Sequence, residues 1–301
     1  MAKWTAKNIA QQNNKTVIIT GANSGIGFQM AKILALKGAR VVMGCHNPER
    51  SFRAIKKILR KNNRADLEFI HLDLASLDSI KMFAKEFRKN NDRLDILINN
   101  AGVMATPHRK TNDGFEYQFG INHLGHFALT GHLIDYLMKT AGSRVVTVSS
   151  IAHFRGNMHF YDMEGESWYS RMRGYRQSKL ANLMFAYELQ KRLRKSGSGT
   201  ISIAAHPGIA STSIVWLPFP VAQLKHLVLM RASKGALPVL MAATDRTIKG
   251  GEYIGPSGTF QSFGYPSILK SSDQSLDKEK WEKLWKVSEE MTGVKYLDNV
   301  K

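Results

Sequence analysis

The segment Tyr175-Arg176-Gln177-Ser178-Lys179 sets a phenol and an ammonium one helical turn apart, so a helix over this stretch would project both from one face. A free tyrosine titrates near pKa ~10, but a cation beside the phenol stabilises phenolate and draws the value toward the working range. A tyrosine tuned in this way is a general acid or base. Tyr-x-x-x-Lys also arises on any helix by chance, where it is a half-buried aromatic beside a snorkelling amine. Its meaning therefore rests on the rest of the chain.

Near the amino terminus, the β-branched run Lys15 to Thr20 suits a buried parallel strand, and Gly21-Ala22-Asn23-Ser24-Gly25-Ile26-Gly27 follows at once. A periodic stretch from Phe28 to Leu36 predicts a helix that Gly38 stops. Strand, glycine turn and helix make a phosphate cradle: the glycines permit close approach of an anion, and free N–H groups with the positive end of the helix dipole face it. The spacing, Gly-x-x-x-Gly-x-Gly, departs from the usual Gly-x-Gly-x-x-Gly dinucleotide fingerprint. Two further predicted strands end in polar residues, Leu94 to Ile98 in Asn99-Asn100-Ala101-Gly102 and Arg144 to Val148 in Ser149-Ser150. Open parallel sheets bind ligands at such carboxyl ends.

Thr20-Gly21-x-x-x-Gly25-x-Gly27, Asn99-Asn100-Ala101-Gly102, Ser150, Tyr175-x-x-x-Lys179 and Pro207-Gly208-x-x-x-Thr212, in this order, closely resemble the short-chain dehydrogenase/reductase family over nearly the whole chain. Ile121-Asn122-His123-Leu124-Gly125-His126-Phe127, Ser178-Lys179-Leu180-Ala181-Asn182 and the carboxyl-terminal Gly250-Gly251-Glu252-Tyr253 resemble its retinol dehydrogenase-like branch. The resemblance implies that Tyr175 is the acid/base, that Ser150 hydrogen-bonds the substrate oxygen, and that Lys179 lowers the tyrosine pKa and binds the nicotinamide ribose. It also implies that Asn122 holds a relay water. Gly21, Asn23, Ser24, Gly25, Ile26, Gly27, Asn100, Ala101, Gly102, Pro207, Gly208 and Thr212 would line the cofactor, with Asp73 at the adenine amino group and Leu74 along its ring. The residue chemistry agrees: a hydroxyl donates to a developing alkoxide, and an asparagine can order water through both donor and acceptor groups. Ser149 competes with Ser150, and a serine nucleophile with His153 as base is disfavoured because no glycine-framed elbow surrounds it. Each residue also has a bland role: Asn122 or Asp73 as a cap, Ser150 as a strand end, His206 as a core histidine at the end of a strand.

NAD-preferring folds carry an acid about 20 residues past the glycines. Here the region reads Val42-Met43-Gly44-Cys45-His46-Asn47. Cys45 stands in the acid's place and His46 where relatives often have arginine, which favours NADP with NAD as the alternative; Arg50 and Arg53 are available to help. No group of ligands has metal spacing, and no metal is expected.

The 301 residues suffice for one α/β domain spanning 1–301; right-handed crossovers taken with the family resemblance imply a Rossmann-like doubly wound parallel sheet of about seven strands with helices on both faces. Strand-like runs at Val41 to Gly44, Leu67 to His71 and Ile201 to Ala205 complete the alternation, with long helices over about His123 to Thr140 and Tyr175 to Lys195 that offer faces for homo-oligomer pairing. The loops 151–174 and 213–232, with Phe154, Trp168, Trp216 and Phe219, are read as an apolar substrate rim. The formal net charge of +19 lies partly on a predicted helix with Arg53, Lys56, Lys57, Arg60, Lys61 and Arg64 outward and Phe52, Ile55 and Leu59 inward. Without a reader motif it implies weak adhesion to acidic membranes rather than specific nucleic-acid binding. No membrane span or signal-like segment is visible and the lone Cys45 fits a reducing compartment, so a cytoplasmic location is expected. The expected activity is interconversion of an alcohol and a carbonyl on a lipophilic small molecule; the alternative is a dinucleotide-binding regulatory or scaffold protein with little turnover.

Overall fold

The computed structural model describes residues 3–209 and 231–297. Eight strands form one sheet: β1 (Thr16–Thr20), β2 (Arg40–Cys45), β3 (Leu67–His71), β4 (Ile96–Asn99), β5 (Arg144–Val148), β6 (Ile201–Ala205), β7 (Tyr253–Pro256) and β8 (Pro266–Leu269). Their spatial order is β3-β2-β1-β4-β5-β6-β7-β8. From β1 the chain builds outward to β2 and β3, then returns to lay β4 on the other side of β1. That reversal opens a crevice above the carboxyl ends of β1 and β4, where ligands bind in such sheets.

The long helices are α1 (Gly25–Leu36), α2 (Pro48–Leu59), α3 (Leu77–Asn90), α4 (Gly125–Lys139), α5 (Arg171–Lys195), α6 (Ala232–Thr244) and α7 (Lys278–Thr292). Strand alternation sends Val17 and Ile19 into one core, with Met30, Leu34, Ile58, Val239 and Leu240. Ile18 goes to the opposite core, with Phe83, Phe87, Phe127, Leu133, Phe185 and Trp285. Both faces of the strand are therefore dry, which explains why β1 reads as an unbroken apolar run rather than an alternating one.

The structure departs from the sequence reading in several places. An eighth strand, β8, pairs antiparallel with β7; only four residues long and opening on proline, it lies on the edge of the sheet, where proline is tolerated and periodicity is too short to read. The helix carrying Tyr175 starts earlier, at Arg171, where the Ser170 hydroxyl caps it by accepting from Arg173 N–H. The six cations are exposed as expected, Arg53, Lys56 and Lys57 on α2 and Arg60, Lys61 and Arg64 beyond its end, but the buried stripe of α2 is Ser51, Ala54 and Ile58; Phe52 is exposed and meets Phe69 edge-on. Trp168, expected on the apolar rim, is buried, stacks on His159 at 4.2 Å and donates to the Asp162 carbonyl at 2.7 Å. It anchors the 151–174 loop to itself instead of facing a ligand. Thr212, Trp216 and Phe219 lie outside the described residues. No described helix is long and apolar enough to cross a membrane.

Candidate active site

A cleft of about 1320 Å³ opens above the carboxyl ends of the central strands. It exceeds the ~300–1,000 Å³ of ordinary small-molecule pockets, which leaves room for a dinucleotide and a second molecule. At one end stands the glycine turn. Gly21 adopts φ +67°, and a side chain on Gly27 would run into the Gly21 carbonyl and the Asn100 amide. Ser24 precedes α1 without capping it through its side chain, so the first-turn N–H groups stay available to an anion. Asn23, Gly25 and Ile26 line the same end.

The loop after β4 is tied to this turn through one buried hydroxyl. Thr20 Oγ1 accepts from Asn100 N–H at 2.9 Å and Ala101 N–H at 2.8 Å, and Asn100 Nδ2 donates to the Thr20 carbonyl at 2.7 Å. The third partner of Thr20 Oγ1 is His126 Nε2 at 2.9 Å, while His126 Nδ1 lies 3.0 Å from the Asn122 carbonyl. A carbonyl only accepts, so Nδ1 carries the proton and Nε2 accepts from the Thr20 hydroxyl. Burial pulls His126 down to about 4 and keeps it neutral. Sequence reading singled out neither Thr20 nor His126 for this role, and their separation of 106 positions explains why.

Asn122 sits in a π-helical turn, Gly120–Leu124, ahead of α4; such wide turns recur at functional sites. Its side chain is fully engaged. Oδ1 accepts from Val103 N–H at 2.8 Å, and Nδ2 donates to the Val103 carbonyl and to Ser178 Oγ, both at 2.9 Å. The side chain thus pins the cleft-lining segment Gly102-Val103 against α5, while the main-chain carbonyl faces His126 Nδ1.

The two serines divide cleanly. Both line the cleft, but Ser149 is buried and its hydroxyl donates to the Lys179 carbonyl at 2.7 Å, whereas the Ser150 hydroxyl stands beside Tyr175. His153 is no base for Ser150. Its Nδ1 faces the Ser150 carbonyl at 2.6 Å, its Nε2 accepts from Ser272 N–H at 3.2 Å, and burial draws it down to about 4. His206 is likewise a neutral core residue, stacked on Tyr253 at 5.2 Å and pulled down to about 3 by burial.

Tyr175 and Lys179 share one face of α5 as their spacing predicts. Burial pushes the phenol up from its ordinary 10.0, with the Ser150 hydroxyl working the other way. The ammonium stands 5.7 Å from the ring centroid and donates to the Val148 carbonyl at 3.2 Å. Across that gap desolvation outweighs the attraction of the cation, so the phenol is held protonated, opposite to the direction that the pair alone implies. Lys179 itself, 4% exposed, is drawn down to about 8 by burial.

At the other end of the cleft, Cys45 is buried at the end of β2 and its thiol is pushed up by burial. The exposed His46 leans on Asp73, Nδ1 to Oδ2 3.5 Å. Asp73 Oδ1 accepts from Ala75 N–H, so the acid is half committed to its own turn; the helix cap proper is Ser76. Leu74, Pro207 and Gly208 line the cleft. Arg50 does too, while Arg53 and Lys57 line a notch next to the glycine turn. The sequence reading missed Val103, Met104, Tyr117, Met172, Phe260 and Gln261, all in the lining; no motif marks them, because wall residues carry no spacing of their own.

The sequence profile of the short chain dehydrogenase family matches residues 15–217. The chain belongs to that family. Its relatives include human "Retinol dehydrogenase 11", 44% identical over 71% of this chain and 67% of that one, and mouse "Retinol dehydrogenase 12", 38% identical over 94% and 87%. The crystal structure of an uncharacterised protein from Mycobacterium paratuberculosis superposes with a TM-score of 0.83, at 38% identity, over 98% of this chain and 99% of that one. This short-chain dehydrogenase is accordingly an NAD(P)-dependent oxidoreductase acting on CH–OH donors. The cradle fits the cofactor: glycines where a side chain would collide, an uncapped helix end for the pyrophosphate, and cations around a lining whose one described carboxylate is Asp73.

Proposed function

We propose that the enzyme uses NADP(H) to interconvert an alcohol and an aldehyde or ketone on a lipophilic small molecule, within one domain spanning 1–301. The observation that carries this reading is the convergence of Ser150, Tyr175 and Lys179 in one largely apolar cleft with the glycine cradle. Bound nicotinamide supplies the hydride, which goes to the carbonyl carbon. Tyr175, kept protonated by burial, donates its proton to the oxygen as the alkoxide develops, and Ser150 donates a hydrogen bond to the same oxygen. Lys179 offers positive charge to the tyrosinate left behind, and Asn122 holds Val103 and Ser178 in place beside it.

The preference for the phosphorylated cofactor rests on charge. The end of β2 carries a neutral, buried thiol instead of a carboxylate, which removes a repulsion against a 2′-phosphate, and Arg50 stands in the cleft as a counter-charge. The relatives point the same way on substrate: two are named retinol dehydrogenases, and a zebrafish relative, 36% identical over 96% of this chain and 90% of that one, is named "Polyprenol dehydrogenase". The test is oxidation of NADPH and NADH, separately, with aliphatic, aromatic and retinoid aldehydes. NADPH turnover that Tyr175→Phe abolishes while cofactor still binds is the expected result. Undiminished activity in Tyr175→Phe would sink the mechanism, and cofactor binding with no turnover on any carbonyl would favour a regulatory dinucleotide-binding protein.

A further inference from the structure

Two arginines line the cleft on the elements that carry Ser150 and Tyr175. Arg155 ends the short turn Ile151–Arg155 that follows Ser150, and Arg176 comes next to Tyr175 on α5; both line the cleft. The two elements touch backbone to backbone, since a Cβ on Gly156 would lie 2.8 Å from the Arg176 carbonyl oxygen. Arg176 is half-buried and Arg155 exposed.

Neither guanidinium has an ion-pair partner among the described residues. With 43 lysines and arginines against 24 acids, unpaired cations are common on this chain's surface; what sets these two apart is that they line the cleft. The stretch 210–230, which continues from the cleft-lining Ile209, contains no aspartate or glutamate, so it has no carboxylate to offer. Asp73 stands at the adenine end against His46. The same cleft is lined by apolar side chains, including Val103, Met104, Phe154, Met172 and Phe260.

Resting on the oxidoreductase reading of this cleft, we propose that the substrate is an amphipathic anion: an apolar body with a carboxylate that Arg155 and Arg176 hold while its carbonyl or alcohol lies against Ser150 and Tyr175. Guanidinium matches carboxylate as a planar, two-pronged donor. A neutral apolar ligand would strip water from the half-buried Arg176 without giving it a partner, a loss that an anionic group removes.

Binding and turnover separate this inference from the reading beneath it. Decanoate and methyl decanoate, which carry no reducible aldehyde, are titrated into the enzyme–NADPH complex by nicotinamide fluorescence, for wild type, Arg155→Gln and Arg176→Gln. Decanoate is expected to bind roughly fivefold to tenfold tighter than the ester, with the ratio falling toward one in each variant. Using the ratio within each protein cancels any general damage from substitution. Equal binding of acid and ester by wild type, or an acid preference that survives in both variants, overturns the inference. ω-Oxodecanoate and its methyl ester then report kcat/KM, with the same preference expected. If the acid preference in binding holds but neither aldehyde is reduced, the reductase reading fails and the anion site stands. If the ester is reduced as fast as the acid, the anion site fails and the reductase reading stands.

Discussion

Lys179→Met should make the cofactor-free enzyme more stable while nearly abolishing its activity. The ammonium is almost wholly buried and has no carboxylate partner. Its pKa falls from 10.5 to about 8, with burial as the cause, and at about 1.4 kcal/mol per tenfold change in proton affinity this corresponds to a destabilisation of about 3 kcal/mol. Because the folded value lies below the unfolded one, the unfolded chain binds more protons between about 8 and 10.5. Stability therefore rises with pH through that window, and the full cost of burying the charge is present below it. Methionine has similar length and no charge. The Val148 carbonyl that loses Lys179 keeps Asn182 Nδ2 at 3.0 Å, so no acceptor is orphaned. Urea unfolding of the two cofactor-free proteins near neutral pH should show the variant ahead by about 1–3 kcal/mol, allowing for packing differences, with the gap closing as pH climbs from 8 toward 10.5. Turnover should fall by about 100-fold or more. A variant that is less stable than wild type, with a difference that does not change with pH, would refute the assignment of a buried, unpaired charge.

Ser150→Ala should lower kcat by about 100-fold with stability nearly unchanged, whereas Ser149→Ala should cost about 1 kcal/mol in urea with kcat largely kept; the reverse pattern would exchange their roles. Arg50→Ala should raise the KM for NADPH by about tenfold relative to NADH, read from initial rates with each cofactor; an equal effect on both would place the phosphate contact elsewhere. Acid should weaken the fold as pH drops from 6.5 toward 4, since the unfolded chain protonates His126 before the folded one does. His126→Gln should show a shallower decline in urea midpoint over that range, and an identical slope would remove His126 from the acid response.

Much of this enzyme is legible in its sequence because the relevant physics is local. An apolar β-branched run is a strand, glycines at Gly21 and Gly27 are a turn with room for an anion, and Tyr175 and Lys179 share a face by helical period alone. The order of these motifs along the chain is enough to name the family. The same locality explains the misses. Four residues opening on a proline gave no sign of β8, and Trp168 reads as a rim residue until its partners His159 and Asp162 fold back onto it.

What only the tertiary structure decided is how each polar group is used, since partners arrive from distant parts of the chain. The resemblance preferred Ser150 over Ser149 without a physical reason; the Lys179 carbonyl, 30 positions on, takes the first hydroxyl and leaves the second beside Tyr175. Sequence credits Asn122 with a free amide, but Val103 and Ser178 occupy it. The phenol beside a lysine suggests a lowered pKa; the depth at which α5 is packed reverses the sign, because desolvation depends on what surrounds a group in space. Arg155 and Arg176 lie on separate elements with no motif between them, and only the packing of the Ser150 turn against α5 brings both cations to one cleft.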